Sequence, residues 1–146
     1  MKQQRTIPST PAEWNARGAE MFPGYVGIEI TESRPDVVRA RLAIEKHLHA
    51  PNGFLHAGTV ITLADTCCGY GTVMNLPDEA RGFATIELKS NFLGTALDGE
   101  ITCVARPVHT GRTTQVWDAE VRSEATGRTI ALFRCTQSVL MRRPDV

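Results

Sequence analysis

From residue 47 to residue 77 the chain carries one formal charge, Asp65, histidines aside. At a composition that is 22% charged, about seven would be expected in a stretch of that length. Within it, residues 57–75 contain no proline, and Val60, Leu63, Ala64, Cys67, Gly71 and Met74 recur at spacings of three and four. That period predicts a helix, although its glycines oppose one at about 1 kcal/mol each relative to Ala. Asp65 stands near the middle, between Ala64 and Thr66, where its short carboxylate competes with the backbone for hydrogen bonds.

Around this segment the pattern changes. A short helix is expected near 11–21, capped by Thr10 with Pro11 at its first position. Two strands follow over 26–33 and 36–45, separated by the turn Arg34-Pro35-Asp36. After the long helix come four strands near 83–93, 99–108, 113–124 and 129–141, punctuated by Asp98-Gly99, Thr110-Gly111-Arg112 and Thr126-Gly127-Arg128. Trp117, Ala119, Val121 and Ser123 alternate with Val116, Asp118, Glu120 and Arg122, as a strand with one drier face requires. The order predicts an α+β fold, with an antiparallel sheet wrapped around one long central helix and an exposed edge that invites dimerisation by continued pairing. We find no internal repeat and expect one domain over 1–146, with 1–23 as an N-terminal extension carrying the short helix.

Charge excludes some functions. Sixteen Lys and Arg balance sixteen Asp and Glu, so no net field draws the chain to nucleic acid or anionic lipid, and neither is expected as a partner. No apolar run approaches the ~20 residues that span a bilayer, and the first residues contain no apolar signal segment. A cytoplasmic protein is expected. The four cysteines have no metal-ligand spacing and two are adjacent, Cys67 and Cys68, which reads as reduced helix packing. His47 and His49 lack a third ligand nearby, so no metal is expected.

Two readings of Asp65 follow from the residues alone. It lies either on a solvated helix face with Thr62, Thr66 and Gly69, or in a dry cleft where a carboxylate gains basicity and acts as base or nucleophile. Ahead of it, residues 52–58 (Asn52-Gly53-Phe54-Leu55-His56-Ala57-Gly58) form a loop entering the helix, whose first-turn N–H groups near Ala57 and Gly58 face outward. Such groups suit a developing oxyanion. Asp65 follows His56 by nine residues, about 13 Å along a helix axis, too far to attack a carbonyl held at the start of its own helix. The two groups meet only if two subunits share the site.

The segment from Asn52 to Thr66, with Phe83-Ala-Thr-Ile-Glu-Leu-Lys-Ser-Asn-Phe92-Leu and His109-Thr-Gly-Arg-Thr113, resembles the hotdog-fold acyl-CoA thioesterases of the PaaI-like, 4-hydroxybenzoyl-CoA thioesterase group. The likeness covers roughly 24–141. It implies a hotdog fold and hydrolysis of a small acyl- or aryl-CoA thioester, by a homodimer or homotetramer with no cofactor beyond the coenzyme A of its substrate. It implies further that Asp65 is the catalytic carboxylate, as nucleophile or as base for water. The Ala57 N–H then polarises the thioester carbonyl, Thr85 orients water or the carboxylate, and His56 positions the loop. Two positions depart from the family pattern. Ala57 replaces the first glycine of the His-Gly-Gly signature, adding a methyl group where the thioester approaches. Ala50 stands where the family commonly has Asn, six residues before the histidine, leaving Asn52, His49 or no residue to supply that contact.

Substrate binding is expected from Gly58, from Asn91 and Phe92 along the acyl pocket, and from Gly111 and Arg112 at the CoA phosphates. Arg106, Lys89, Arg134, Arg142 and Arg143 are further phosphate candidates, since guanidinium groups pair bidentately with phosphate. Two alternatives stay open. One is a hotdog protein that binds acyl-CoA without turnover, motivated by the departures at Ala57 and Asn52; the other is a hotdog hydratase or dehydratase, which needs a His base at the carbonyl.

Overall fold

The computed structural model describes residues 5–143; the first four residues of the 1–23 extension and the last three of the chain lie outside them. The first helix, α1 (Pro11–Gly18), starts as its sequence dictates: Thr10 Oγ1 accepts from the Glu13 N–H at 3.2 Å, and the Glu13 carboxylate accepts from the Ser9 N–H at 2.6 Å. It ends at Gly18, short of residue 21; Gly18 passes under the Tyr70 hydroxyl, where a Cβ would collide. A second short helix, α2 (Phe22–Val26), follows and stops at Gly27, whose φ of 88° lies in the left-handed region. The first strand therefore begins at Ile28 and not at 26.

Strands β1 (Ile28–Arg34) and β2 (Val37–Ala43) form the expected hairpin. β2 stops at Ala43, and a single 3₁₀ turn, Lys46–Leu48, leads into the loop before α3 (Ala57–Met74). Then come β3 (Ala80–Phe92), β4 (Glu100–Thr110), β5 (Thr114–Ser123) and β6 (Thr129–Met141). All pairings are antiparallel in one six-stranded sheet of order β1-β2-β4-β5-β6-β3. This is the hotdog arrangement. α3 lies in the concave side, and no residue from 58 to 74 is fully exposed; that enclosure is why the segment carries almost no charge.

Close packing holds the helix in the sheet. The Trp117 ring of β5 packs against Gly71, leaving no room for a Cβ there. Its indole Nε1–H donates to Gln115 Oε1 at 2.9 Å, and Gln115 Nε2 donates to the Thr72 carbonyl at 3.3 Å, so a fully buried amide ties helix to strand with its hydrogen bonds made. All four cysteines are buried and free.

The two sheet edges differ. Asn15 of α1 occupies the β1 edge as a strand would, donating to the Ile30 carbonyl at 3.0 Å and accepting from the Ile30 N–H at 2.7 Å, beside a bulge between Ile30 and Glu32. β3 is thirteen residues long and pairs only with β6. It displays Ile86 (66% exposed), Leu88 (40%) and Phe92 (45%).

Candidate active site

The loop over residues 49–55 closes on itself through a bridge between His49 and Leu55. Asn52 sits at its tip, and its side-chain oxygen accepts from the Phe54 N–H at 3.1 Å, an Asx turn that Gly53 completes at φ 87°. His49 spans the neighbouring elements, its ring nitrogens 3.1 Å from the Glu45 carbonyl and 3.0 Å from the Leu97 carbonyl. The loop delivers His56 to the helix start, where its own N–H donates to the Leu48 carbonyl at 3.0 Å. His56 Nδ1 then accepts from the Gly58 N–H at 2.8 Å, an N-cap made by a histidine, which places the ring proton on Nε2. Of the two outward N–H groups expected at this helix start, Gly58's is therefore occupied. The Ala57 N–H finds no acceptor among the described residues, and Ala57 is exposed.

Asp65 lies two turns further along α3, half-buried and not on an open helix face. Its Oδ1 is sealed from solvent and meets no donor among the described residues, while Oδ2 is not sealed. No ion pair among the described residues reaches the group, and burial pushes its pKa above the usual carboxylate value. A carboxylate of this kind holds a proton more readily than a surface Asp, as a general base must.

Thr85 faces Gln137 across the β3–β6 pairing. Gly69, one turn after Asp65, touches the Phe83 ring two residues before Thr85, so the Asp65 stretch of α3 runs along the Thr85 stretch of β3. Phe92 shares the helix-facing side with Ala131, its partner on β6. Asn91 does not: with Leu132, its partner, it lines an outer-face groove of about 530 Å³, away from Asp65 and beside Lys89, Arg106 and Arg134. Arg134 is committed to Asp118 by two bonds of 2.6 and 2.8 Å. Gly111 and the exposed Arg112 form the β4–β5 turn, where a Cβ at 111 would strike His109. That turn sits beside the start of β3, whereas the loop before α3 is tied through His49 to Leu97, just beyond the far end of β3. One chain therefore assembles Ala57, Gly58 and His56 at one end, Asp65 and Thr85 in the middle, and Gly111 with Arg112 at the other end.

Two buried glutamines, Gln115 and Gln137, escape a reading by motif. Their signal in the sequence is positional: each stands at an inward position of its strand, in step with Trp117 and with Cys135 and Val139, where an apolar residue is the rule. Among the described residues no group of three His, Cys, Asp or Glu side chains is placed to hold a metal ion, and no helix is long and apolar enough to cross a membrane.

Comparison with known proteins places the chain. Residues 52–130 match the thioesterase superfamily model. A 1,4-dihydroxy-2-naphthoyl-CoA hydrolase of Listeria monocytogenes is 29% identical over 81% of this chain and 94% of its own length. A proofreading thioesterase, EntH, of Cronobacter turicensis is 26% identical over 86% and 90%. The crystal structure of a thioesterase variant from Pseudomonas aeruginosa superposes with a TM-score of 0.86 at 26% identity, covering 95% of this chain and 99% of that one. With a helix acid, an open N–H at the helix start and this match over more than half its length, the chain belongs to the thioesterase superfamily and is a thioester hydrolase.

Proposed function

We propose that the protein hydrolyses a small acyl- or aryl-CoA thioester to the free acid and CoA, with Asp65 as the catalytic carboxylate and the Ala57 N–H as the oxyanion donor. The observation that carries the reading is Asp65 itself, a carboxylate without an ion-pair partner, held basic by burial with one oxygen still open. As general base, Asp65 takes a proton from water while the water oxygen attacks the thioester carbon. The Ala57 N–H stabilises the resulting oxyanion, and collapse expels the CoA thiolate, which takes up the proton. As nucleophile, Asp65 displaces the thiolate to give a mixed anhydride that water then opens. Thr85, on the stretch of β3 beside Gly69, orients water or the carboxylate in either route, while His56 secures the helix start.

Two subunits share the site in this reading, in a homodimer or a pair of such dimers. The uncovered β3 edge, with its apolar side chains, supports this, because a long exposed edge of that kind is a template for a second strand. Antiparallel β3–β3 pairing runs the two α3 helices in opposite directions. It thereby brings the Ala57 end of one chain toward the middle of the partner's helix and toward its Gly111-Arg112 turn, where the CoA phosphates are received. Buried thiols without disulfides fit a reducing cytoplasm.

The experiment is thiol release from a panel of short, medium, phenylacetyl and hydroxybenzoyl CoA thioesters, with Asp65→Asn beside the wild type. The expected outcome is turnover of at least one ester that vanishes in the variant while ester binding persists. Wild-type hydrolysis by Asp65→Asn would refute the mechanism.

A further inference from the structure

Gln137 is fully buried (0% exposed), and both polar atoms of its carboxamide lack a partner among the described residues. An amide left this way in a core costs of the order of 1–3 kcal/mol and calls for a reason. Its neighbour Gln115, directly opposite on β5, shows what a structural glutamine looks like in this core, with Trp117 and Thr72 using both ends of its amide.

Position supplies the reason. Gln137 projects from β6 toward α3, between Cys135 and Val139, with Thr85 of β3 opposite. Val139 in turn pairs with Phe83, whose ring touches Gly69. Gly69 and Asp65 are one turn apart on the same helix face, and the missing side chain at Gly69 lets the Phe83 ring, two residues from Thr85 on β3, lie against that face. The buried Oδ1 of Asp65 needs a donor, and the Gln137 Nε2–H₂ needs an acceptor. Among the described residues no charged group competes for the acid. The other titratable groups nearby are Cys68 of α3, whose thiol burial pushes well above its ordinary value, and Cys135 of β6 beside it. Glu87 and Lys89 of β3 and Arg134 of β6 alternate onto the opposite face, as Asp118 does on β5.

We propose that Gln137 is a positioning residue for the catalytic acid: its carboxamide donates, through one bridging water also within reach of the Thr85 hydroxyl, to the sealed Oδ1 of Asp65. A water with three polar partners of this kind is an ordinary constituent of a protein interior. The bond favours the ionised carboxyl against the effect of burial and fixes which oxygen faces the substrate, so Oδ1 is held and Oδ2 reacts. This inference rests on the reading of Asp65 as the catalytic carboxylate.

The test is Gln137→Met, which keeps the volume and removes the donor, assayed for kcat, KM and their pH dependence. The expected result is a loss in kcat of roughly tenfold, the size of one hydrogen bond to a charged group, with KM nearly unchanged and the acid limb of the profile moved to higher pH. Gln115→Met serves as the contrast: losing two satisfied hydrogen bonds lowers its Tm but leaves the acid limb in place. A merely structural Gln137 would behave as Gln115 does, and an unmoved limb and kcat in Gln137→Met overturn the proposal. Should Gln137→Met fail to fold, the wild-type protein labelled with ¹⁵N-glutamine decides. The Gln137 side-chain amide resonances must follow the Asp65 titration and stop doing so in Asp65→Asn; resonances flat across that titration overturn the proposal. Activity retained by Asp65→Asn brings down the reading of Asp65 together with this inference. Activity lost there but untouched in Gln137→Met removes only the role of Gln137.

Discussion

Asp65 occupies a helical position that favours neither the helix nor the core, and burial holds its pKa above the ordinary carboxylate value. Native Asp65 thus binds its proton more tightly than unfolded Asp65, so stability falls as pH rises from the ordinary carboxylate value through the raised one. Asp65→Asn abolishes that loss. Its Tm should exceed that of the wild type at neutral pH, the difference closing once pH drops below the ordinary value, as calorimetry at several pH values will show. A residue whose charge weakens the fold at working pH fits the catalytic role proposed for Asp65. The oxyanion role proposed for Ala57 permits a clean experiment. It is the first helical residue, its N–H is unbonded, and His56 before it is already extended at ψ 133°, so proline fits there without loss to the helix. Ala57→Pro should leave Tm unchanged within a degree or two while lowering kcat by about 10²–10³, the value of one oxyanion donor. At this scale the place of Asp65 in the long helix and of the loop before it was legible in the sequence, because an isolated charge in an apolar stretch is visible without coordinates. Gln137 was not, since its meaning depends on what lies across two strand pairings. Nor was Asn91's orientation, which the β3 bulge between Thr85 and Glu87 helps to set and which no local pattern announces.

Among the elements, the periodic ones were readable and the short ones were not. α3 follows the residue spacing from Ala57 to Met74, and β4 to β6 follow the alternation and the glycine turns. α2 and the 3₁₀ turn at Lys46–Leu48 are too short for a period to show; α2 ends at the left-handed Gly27, and the turn leads into the loop that presents His56. Strand order was hidden too, because β3 leaves its sequence neighbours to pair with β6, a choice that the wrapping of the helix makes and no local signal states. The helix glycines, which local propensity counts against α3, are explained by what they admit. Gly71 seats the Trp117 ring, and Gly71→Ala should destabilise the protein by about 1–3 kcal/mol through overpacking despite raising helix propensity, a sign that denaturant titration will check.

For the molecule as a whole, the separation of Ala57 and Asp65 along one helix makes the active unit larger than one chain wherever both groups act on the same thioester. Two inactive variants then mend each other: Asp65→Asn and Ala57→Pro, refolded together, should recover up to about a quarter of wild-type activity, because half of the mixed dimers are hybrids and each hybrid has one intact site. No recovery from a mixture shown to exchange subunits would mean that each chain keeps its site to itself. The placement of β3 has a consequence for how the protein is born. Its one partner in the chain is the final strand, which begins roughly forty residues after β3 ends, a few seconds of synthesis at ordinary elongation rates. During that interval a nascent chain carries an apolar strand bare on both sides, and nearby chains on the same message carry an identical one. Crowded translation therefore exposes this segment to pairing with its own kind before β6 is made, and the rate at which the ribosome finishes β6 sets how long that exposure lasts.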